Sequence, residues 1–219
     1  MNKRIKLVIF DLDGTLVNAY AAVTESINYM LRKFGYPPAR ENKIKRSVGW
    51  GEVHLISQFV GSGDLAKAVA IYRRHHPAVL RRATKLLPQA RGLLGYLKQE
   101  GYGLAVASNR ATRFTKIIVR ELRIADYFDF ILCRDKVRRP KPFPDILKAI
   151  LKKFALKPGE AVFVGDMVVD VQAGHRARVR TIAIGTGSST RQEIFACKPL
   201  KVIRRLEEIK KILKELEKE

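Results

Sequence analysis

Leu7-Val8-Ile9-Phe10 places four bulky apolar residues in a row, and the run stops abruptly on Asp11-Leu12-Asp13-Gly14-Thr15. A strand with one wet face would alternate apolar and polar residues. An unbroken apolar run of this length instead fits a strand covered on both sides, as at the centre of a parallel α/β sheet. The two carboxylates then stand at the strand's carboxyl end, where open α/β sheets bind their ligands. Carboxylates that close repel one another and invite a shared proton or a divalent cation. The same residues also fit a plain Asp-Gly turn with a helix cap, so the remainder of the chain has to choose.

From Leu87-Pro88 onward, strand and helix alternate, the signature of parallel strands joined by crossover helices. Strands are predicted at Leu104–Ala107, Phe130–Cys133, Ala161–Val164 and Thr181–Ile184, which with the first makes a five-stranded Rossmann-like core. Between residues 16 and 85 no strand is predicted. Val23, Ile27, Met30, Leu31 and Phe34 recur at helical spacing, and further helical pieces are separated by Gly49-Trp50-Gly51, by Gly61-Ser62-Gly63 and by a break at Pro77. The predicted organisation is an α/β core formed by residues 1–15 and 86–219, with an all-helical cap, 16–85, inserted after the first strand and hanging over its carboxylates. Val202, Leu206, Ile209, Leu213 and Leu216 predict one C-terminal amphipathic helix that docks on the sheet.

With 219 residues, 47% of them hydrophobic and 29% charged, the chain can bury an ordinary core. No apolar run reaches the eighteen or so residues of a membrane span, and the short run near the N-terminus does not make a signal peptide, so a cytoplasmic protein without membrane partners is expected. Cys133 and Cys197 lack metal spacing, as do His54, His75, His76 and His175, and all read as packing or surface residues. The net charge of +22 brings nucleic acid forward as a partner. Yet the basic residues are scattered, without interleaved aromatics or a recognition helix, and a positive field gathers small anionic metabolites equally well.

Polar residues recur at one structural address: Asp11 and Asp13 after the first strand, Ser108-Asn109 after the second, Asp166 after the fourth. Strand ends of one polarity share one sheet edge, so residues far apart in sequence converge. Asp170, four residues after Asp166, lies on the same face of an opening helix and suits a hard cation. Ser108, at the start of a predicted helix, and Lys141 in the basic loop Arg138-Arg139-Pro140-Lys141-Pro142 suit a phosphate. Taken singly, Ser108 is equally an N-cap, Lys141 a surface lysine and Asp166 a turn residue; their joint placement at matching strand ends points to a site.

These ordered motifs, Asp11-Leu12-Asp13-Gly14-Thr15, Ser108-Asn109, Lys141-Pro142-Phe143-Pro144-Asp145 and Gly165-Asp166 through Asp170 with Ala173-Gly174, resemble those of the haloacid dehalogenase superfamily, and the whole is similar to its phosphoglycolate phosphatase-like branch. The resemblance implies hydrolysis of a small phosphorylated metabolite. Asp11 would be the nucleophile that forms an aspartyl-phosphate, and Asp13 the acid that protonates the leaving oxygen and then activates water. It implies Mg²⁺ held by the Asp11 carboxylate, the Asp13 main-chain carbonyl and Asp166, with Asp170 nearby, and phosphoryl oxygens gripped by Ser108, the Asp13-Gly14 backbone and Lys141, next to Asn109. Arg46 and the Gly49-Trp50-Gly51-Glu52 loop in the cap are candidates for reading the rest of the substrate. The presence of Asp13 favours a phosphatase over a dehalogenase. A sugar phosphomutase or pyrophosphatase of the same superfamily, and a nucleic-acid-binding module on this scaffold, are the alternatives; monomer and homodimer are both open.

Overall fold

The computed structural model describes residues 4–218. Its centre is a parallel sheet of six strands in the order β5-β4-β1-β6-β7-β8. The strands are β1 (Leu7–Phe10), β4 (Gly103–Ser108), β5 (Phe130–Cys133), β6 (Ala161–Gly165), β7 (Arg180–Ile184) and β8 (Lys201–Ile203). Two further short strands, β2 (Val17–Asn18) and β3 (Lys85–Leu86), pair antiparallel with each other. They stand where the chain leaves and re-enters the region of the large sheet.

The alternation of side chains explains why β1 is apolar throughout. Val8 and Phe10 enter the larger hydrophobic cluster on one face, while Leu7 and Ile9 enter a second cluster on the other. All four are fully buried, as a strand hydrogen-bonded on both edges and covered on both faces must be. Its registers with β4 (Phe10 opposite Val106) and with β6 (Phe10 opposite Val164) bring three carboxyl ends to one edge. Helices α5 (Ala90–Gln99), α6 (Thr112–Glu121), α7 (Asp145–Lys153), α8 (Val168–Ala177), α9 (Arg191–Ala196) and α10 (Glu208–Leu216) complete this α/β unit. Between β2 and β3 run the helices α1 (Tyr20–Lys33), α2 (Glu41–Ser47), α3 (Glu52–Ser57) and α4 (Leu65–Ala83).

Four expectations are corrected. The sheet has six strands rather than five, because Lys201–Ile203 pairs with β7; Val202 is therefore a strand residue and the last helix begins only at Glu208. The stretch between 16 and 85 is not free of strands, since it holds β2 and the start of β3. Pro77 does not break a helix but lies within α4. Tyr72 and His76 before it and Val79 and Leu80 after it are all buried, and that packing outweighs the roughly 3 kcal/mol a helical proline costs. Ser108 does not open a helix; it ends β4, and α6 starts at Thr112.

Candidate active site

Asp11 is the first residue beyond β1, and its backbone N–H donates to the carbonyl of Val164 at 2.8 Å, so the chain is still locked to β6 as the carboxylate emerges. Asp166 follows β6 and is fully buried. One of its oxygens accepts from Thr15 Oγ1 at 2.7 Å; the other, Oδ2, has no hydrogen-bond partner among the described residues. Asp170, in the first turn of α8, is more completely engaged. Its Oδ2 accepts from the backbone N–H groups of Asp166 (3.1 Å) and Met167 (2.9 Å), and its Oδ1 accepts from Lys141 Nζ at 2.7 Å. Asp11, Asp166 and Asp170 each offer an oxygen within 4.8 Å of the others.

Lys141 is 1% exposed, with Nζ 2.9 Å from Asp11 Oδ1 as well as 2.7 Å from Asp170. Asn109 fixes the loop that carries it: Asn109 Oδ1 accepts from the Lys141 N–H (3.0 Å), and Asn109 Nδ2 donates to the Lys141 carbonyl (2.9 Å) and to the Gly49 carbonyl (2.9 Å). Ser108, also buried, accepts the Arg110 N–H on Oγ at 3.1 Å. Gly14 has φ +80°, and a Cβ there would stand 2.3 Å from Asp166 Oδ2. Only glycine adopts that conformation freely and leaves the carboxylate its space.

The charges do not balance within this group. Burial drives the Asp11 carboxyl up to about 7 against the pull of Lys141, and Asp170 and Asp13 add to the rise. Burial likewise raises Asp166 well above the usual carboxylate range, with Asp170 and Asp11 as further causes. Burial by itself would lower Lys141, but Asp11 and Asp170 reverse this and hold the ammonium charged. Three buried carboxylates around one ammonium leave an uncompensated negative site, and the orphaned Asp166 Oδ2 marks where a cation fits. The all-oxygen donor set suits Mg²⁺.

Above these groups is a cavity of ≈ 60 Å³, lined by Asp11, Asp13, Ser108, Asn109 and Lys141 on one side and by apolar residues such as Val48, Leu55 and Tyr72 on the other. It holds only a few water molecules. Arg110, next in sequence to Asn109, also lines it, with Nε 2.7 Å and Nη2 2.9 Å from the two oxygens of Asp13. Asp13 thus stands at the cavity, but its side chain engages Arg110 and not the three clustered carboxylates.

Of the cap candidates, Arg46 and Trp50 lie elsewhere. Arg46 pairs with Glu193 (2.7 and 3.0 Å) and donates to the Ser188 carbonyl (2.7 Å), tying α2 to the segment around α9. The Trp50 side chain is 44% exposed, and its carbonyl accepts from Arg134 at 2.9 Å. Neither lines the cavity. Gly49, Gly51 and Glu52 of the candidate loop do line it, and Glu52, paired with Arg73 and Arg113, brings charge there. Sequence reasoning missed Arg110, although its position directly after Ser108-Asn109 was a signal. It also missed His76, for which no local signal exists.

The haloacid dehalogenase-like hydrolase profile matches residues 8–184. The chain belongs to this family. It is 30% identical over 213 residues to phosphoglycolate phosphatase 1 of Pseudomonas aeruginosa, covering 93% of this chain and 78% of that one. It is 29% identical to phosphoglycolate phosphatase of Nitrosococcus oceani, with 97% and 98% covered. The crystal structure of a predicted phosphoglycolate phosphatase from Haemophilus somnus superposes with a TM-score of 0.91 at 27% identity, covering 97% of this chain and 99% of that one. This hydrolase therefore shares its whole α/β and helical arrangement with phosphatases. No helix among the described residues is long and apolar enough to cross a membrane.

Proposed function

We propose that this hydrolase is a Mg²⁺-dependent phosphatase that cleaves a small phosphomonoester through a phosphorylated Asp11. The observation that carries the reading is the contact of the Asp11 carboxylate with the buried Lys141 ammonium, beside an Asp166 oxygen that has no partner. Asp11, Asp166 and the Asp13 main-chain carbonyl would hold the ion, and Asp170 would anchor Lys141 and the turn before α8 from behind. When bound, Mg²⁺ supplies the positive charge that lets an anionic nucleophile approach an anionic phosphate.

The chain's own residues supply the remainder. Lys141 and Ser108 stand within the same cavity and would bind phosphoryl oxygens, with Asn109 holding Lys141 in place and so acting on the phosphate indirectly. Asp11 attacks phosphorus as the ester bond breaks, and Asp13 gives the leaving oxygen its proton. Asp13 then takes a proton from the water that cleaves the phospho-Asp11 bond, which releases inorganic phosphate and returns Asp11 to its carboxylate and Asp13 to its acid form.

Residues 16–85 act as the cap, and the small apolar-walled cavity beneath it favours a substrate of few atoms. Phosphoglycolate, the substrate in the names of the relatives, is the first compound to try. Purified protein is assayed for phosphate release from phosphoglycolate, sugar phosphates, nucleotides and pyrophosphate, with Mg²⁺ and with chelator. Mg²⁺-dependent release from small monoesters is expected, lost in Asp11→Asn. Metal-independent release, or full activity in that variant, would refute the reading.

A further inference from the structure

His76 is fully buried on α4, 34 residues away from Arg110 in the sequence. Its Nε2 lies 3.0 Å from Arg110 Nη1, and its Nδ1 lies 2.9 Å from Ser26 Oγ on α1. A guanidinium can only donate, so Nε2 must accept and Nδ1 must carry the proton, which it donates to Ser26. Ser26 Oγ is within 3.4 Å of His75 Nδ1, which can take the hydroxyl proton. Burial and the neighbouring Arg110 drive the His76 pKa down to about 2, so the ring is neutral and its tautomer is fixed by its neighbours. Tyr72 and Phe114 hold its plane, with ring centroids at 4.5 and 5.0 Å.

Arg110 is 9% exposed and has both Asp13 oxygens on its Nε and Nη2. A guanidinium gripped on one edge by a carboxylate and on Nη1 by a rigid imidazole has a single orientation. That orientation decides where the Asp13 carboxylate points. The contact joins the helical segment to the loop after β4, so it exists only while α4 is packed over the cavity.

We infer that His76 is a positioning residue, which fixes the orientation of the Asp13 side chain through Arg110 and so makes the placement of the acid depend on closure of the helical cap. This rests on the phosphatase reading above, in which Asp13 is the acid. In that reading closure does more than exclude water; it completes the acid.

The test exploits leaving groups. A simple alkyl phosphate needs its departing oxygen protonated, whereas dinitrophenyl phosphate releases a phenolate that is stable without a proton. The quantity to measure is kcat/KM, which covers the steps through departure of the alcohol or phenol and is insensitive to later hydrolysis of phospho-Asp11. The variants are His76→Phe, which keeps the flat ring but has no acceptor, and His76→Gln, whose amide oxygen can take the Arg110 N–H. Positioned proton transfer contributes about 10²–10⁴ in rate. His76→Phe is therefore expected to lose about 10- to 100-fold with the alkyl ester and less than about threefold with the dinitrophenyl ester, and His76→Gln to recover most of the loss. Equal losses on both esters in His76→Phe and His76→Gln alike, or no loss on either, would overturn the inference while leaving the phosphatase reading in place. Failure of the wild type to cleave any phosphate ester would overturn both. Should His76→Phe not fold, the inference stands or falls on His76→Gln together with Ser26→Ala, which removes the acceptor of the Nδ1 proton and with it one of the contacts that hold the ring against Arg110: Ser26→Ala should lose selectively on the alkyl ester, and an unchanged ester preference in it would count against the inference.

Discussion

Removing the charge of Asp11, the proposed nucleophile, should make the metal-free protein more stable while abolishing its turnover. A carboxyl raised from 3.8 to about 7 in the folded state opposes folding by about 4 kcal/mol once it is fully ionised. The sign follows from the direction of the shift. Below the unfolded value the group is protonated in both states and contributes nothing. Between about 4 and 7 the folded state retains a proton that the unfolded state has lost, so the penalty grows with pH, and above about 7 it is complete. At pH 5 it amounts to only about 1.6 kcal/mol. Asp11→Asn removes this penalty; the pull of Lys141 is already contained in the raised value, and Lys141 retains Asp170 at 2.7 Å. The net gain at pH 8 is then about 4 kcal/mol, or a rise in Tm of about 8–16 °C for a chain of this size. Melts of wild type and variant in chelator, at pH 5 and pH 8, test this. A variant that melts below the wild type at pH 8, or a gap that shrinks as pH rises, would refute the electrostatic argument.

Adding Mg²⁺ to the wild type at 100 times its Kd should stabilise it by about 2.7 kcal/mol, raising Tm by about 5–10 °C; the shift should be larger at pH 8 than at pH 5 and absent in Asp166→Asn. Lys141→Ala would leave Asp11 and Asp170 buried without their cation and should cost about 3–5 kcal/mol at neutral pH in denaturant melts, along with turnover. Gly14→Ala, whose Cβ would meet Asp166 Oδ2 at 2.3 Å, should weaken Mg²⁺ binding by roughly tenfold or more, read from the metal dependence of Tm and of rate. Arg46→Ala breaks an ion pair whose side chains are 53% and 42% exposed, so the melting temperature should hardly change, and kcat/KM for a small monoester should change by less than about twofold.

The strands that frame the site were legible because each is a short apolar run stopped by glycine or a polar residue, and β5 carries the same bounds in sequence and structure, Phe130–Cys133. The convergence of Asp11, Ser108, Asp166 and Lys141 followed from the single fact that parallel strands end together. What escaped was either marginal or tertiary. In β8 only Ile203 is buried, so Val202 fitted a helical repeat as well as a strand. The proline in α4 is tolerated through contacts with α1 and α6 that no local pattern encodes. Position near the glycine-rich loop does not tell which residues face the cavity: Gly49, Gly51 and Glu52 line it, whereas Arg46 on α2 turns to Glu193 and the Trp50 carbonyl to Arg134. His76 looked like any histidine on an apolar helix face. Its environment depends on Ser26, 50 residues earlier, and Arg110, 34 residues later.

The most direct measurement is mass spectrometry of protein quenched in acid during turnover of a small phosphomonoester with Mg²⁺, with the peptide containing Asp11 isolated and fragmented. A phosphoryl group on Asp11 that accumulates with substrate, disappears as substrate is exhausted and never forms in Asp11→Asn is the expected result. Sustained phosphate release by Asp11→Asn, or a phosphoryl group carried by some other residue, would contradict the account.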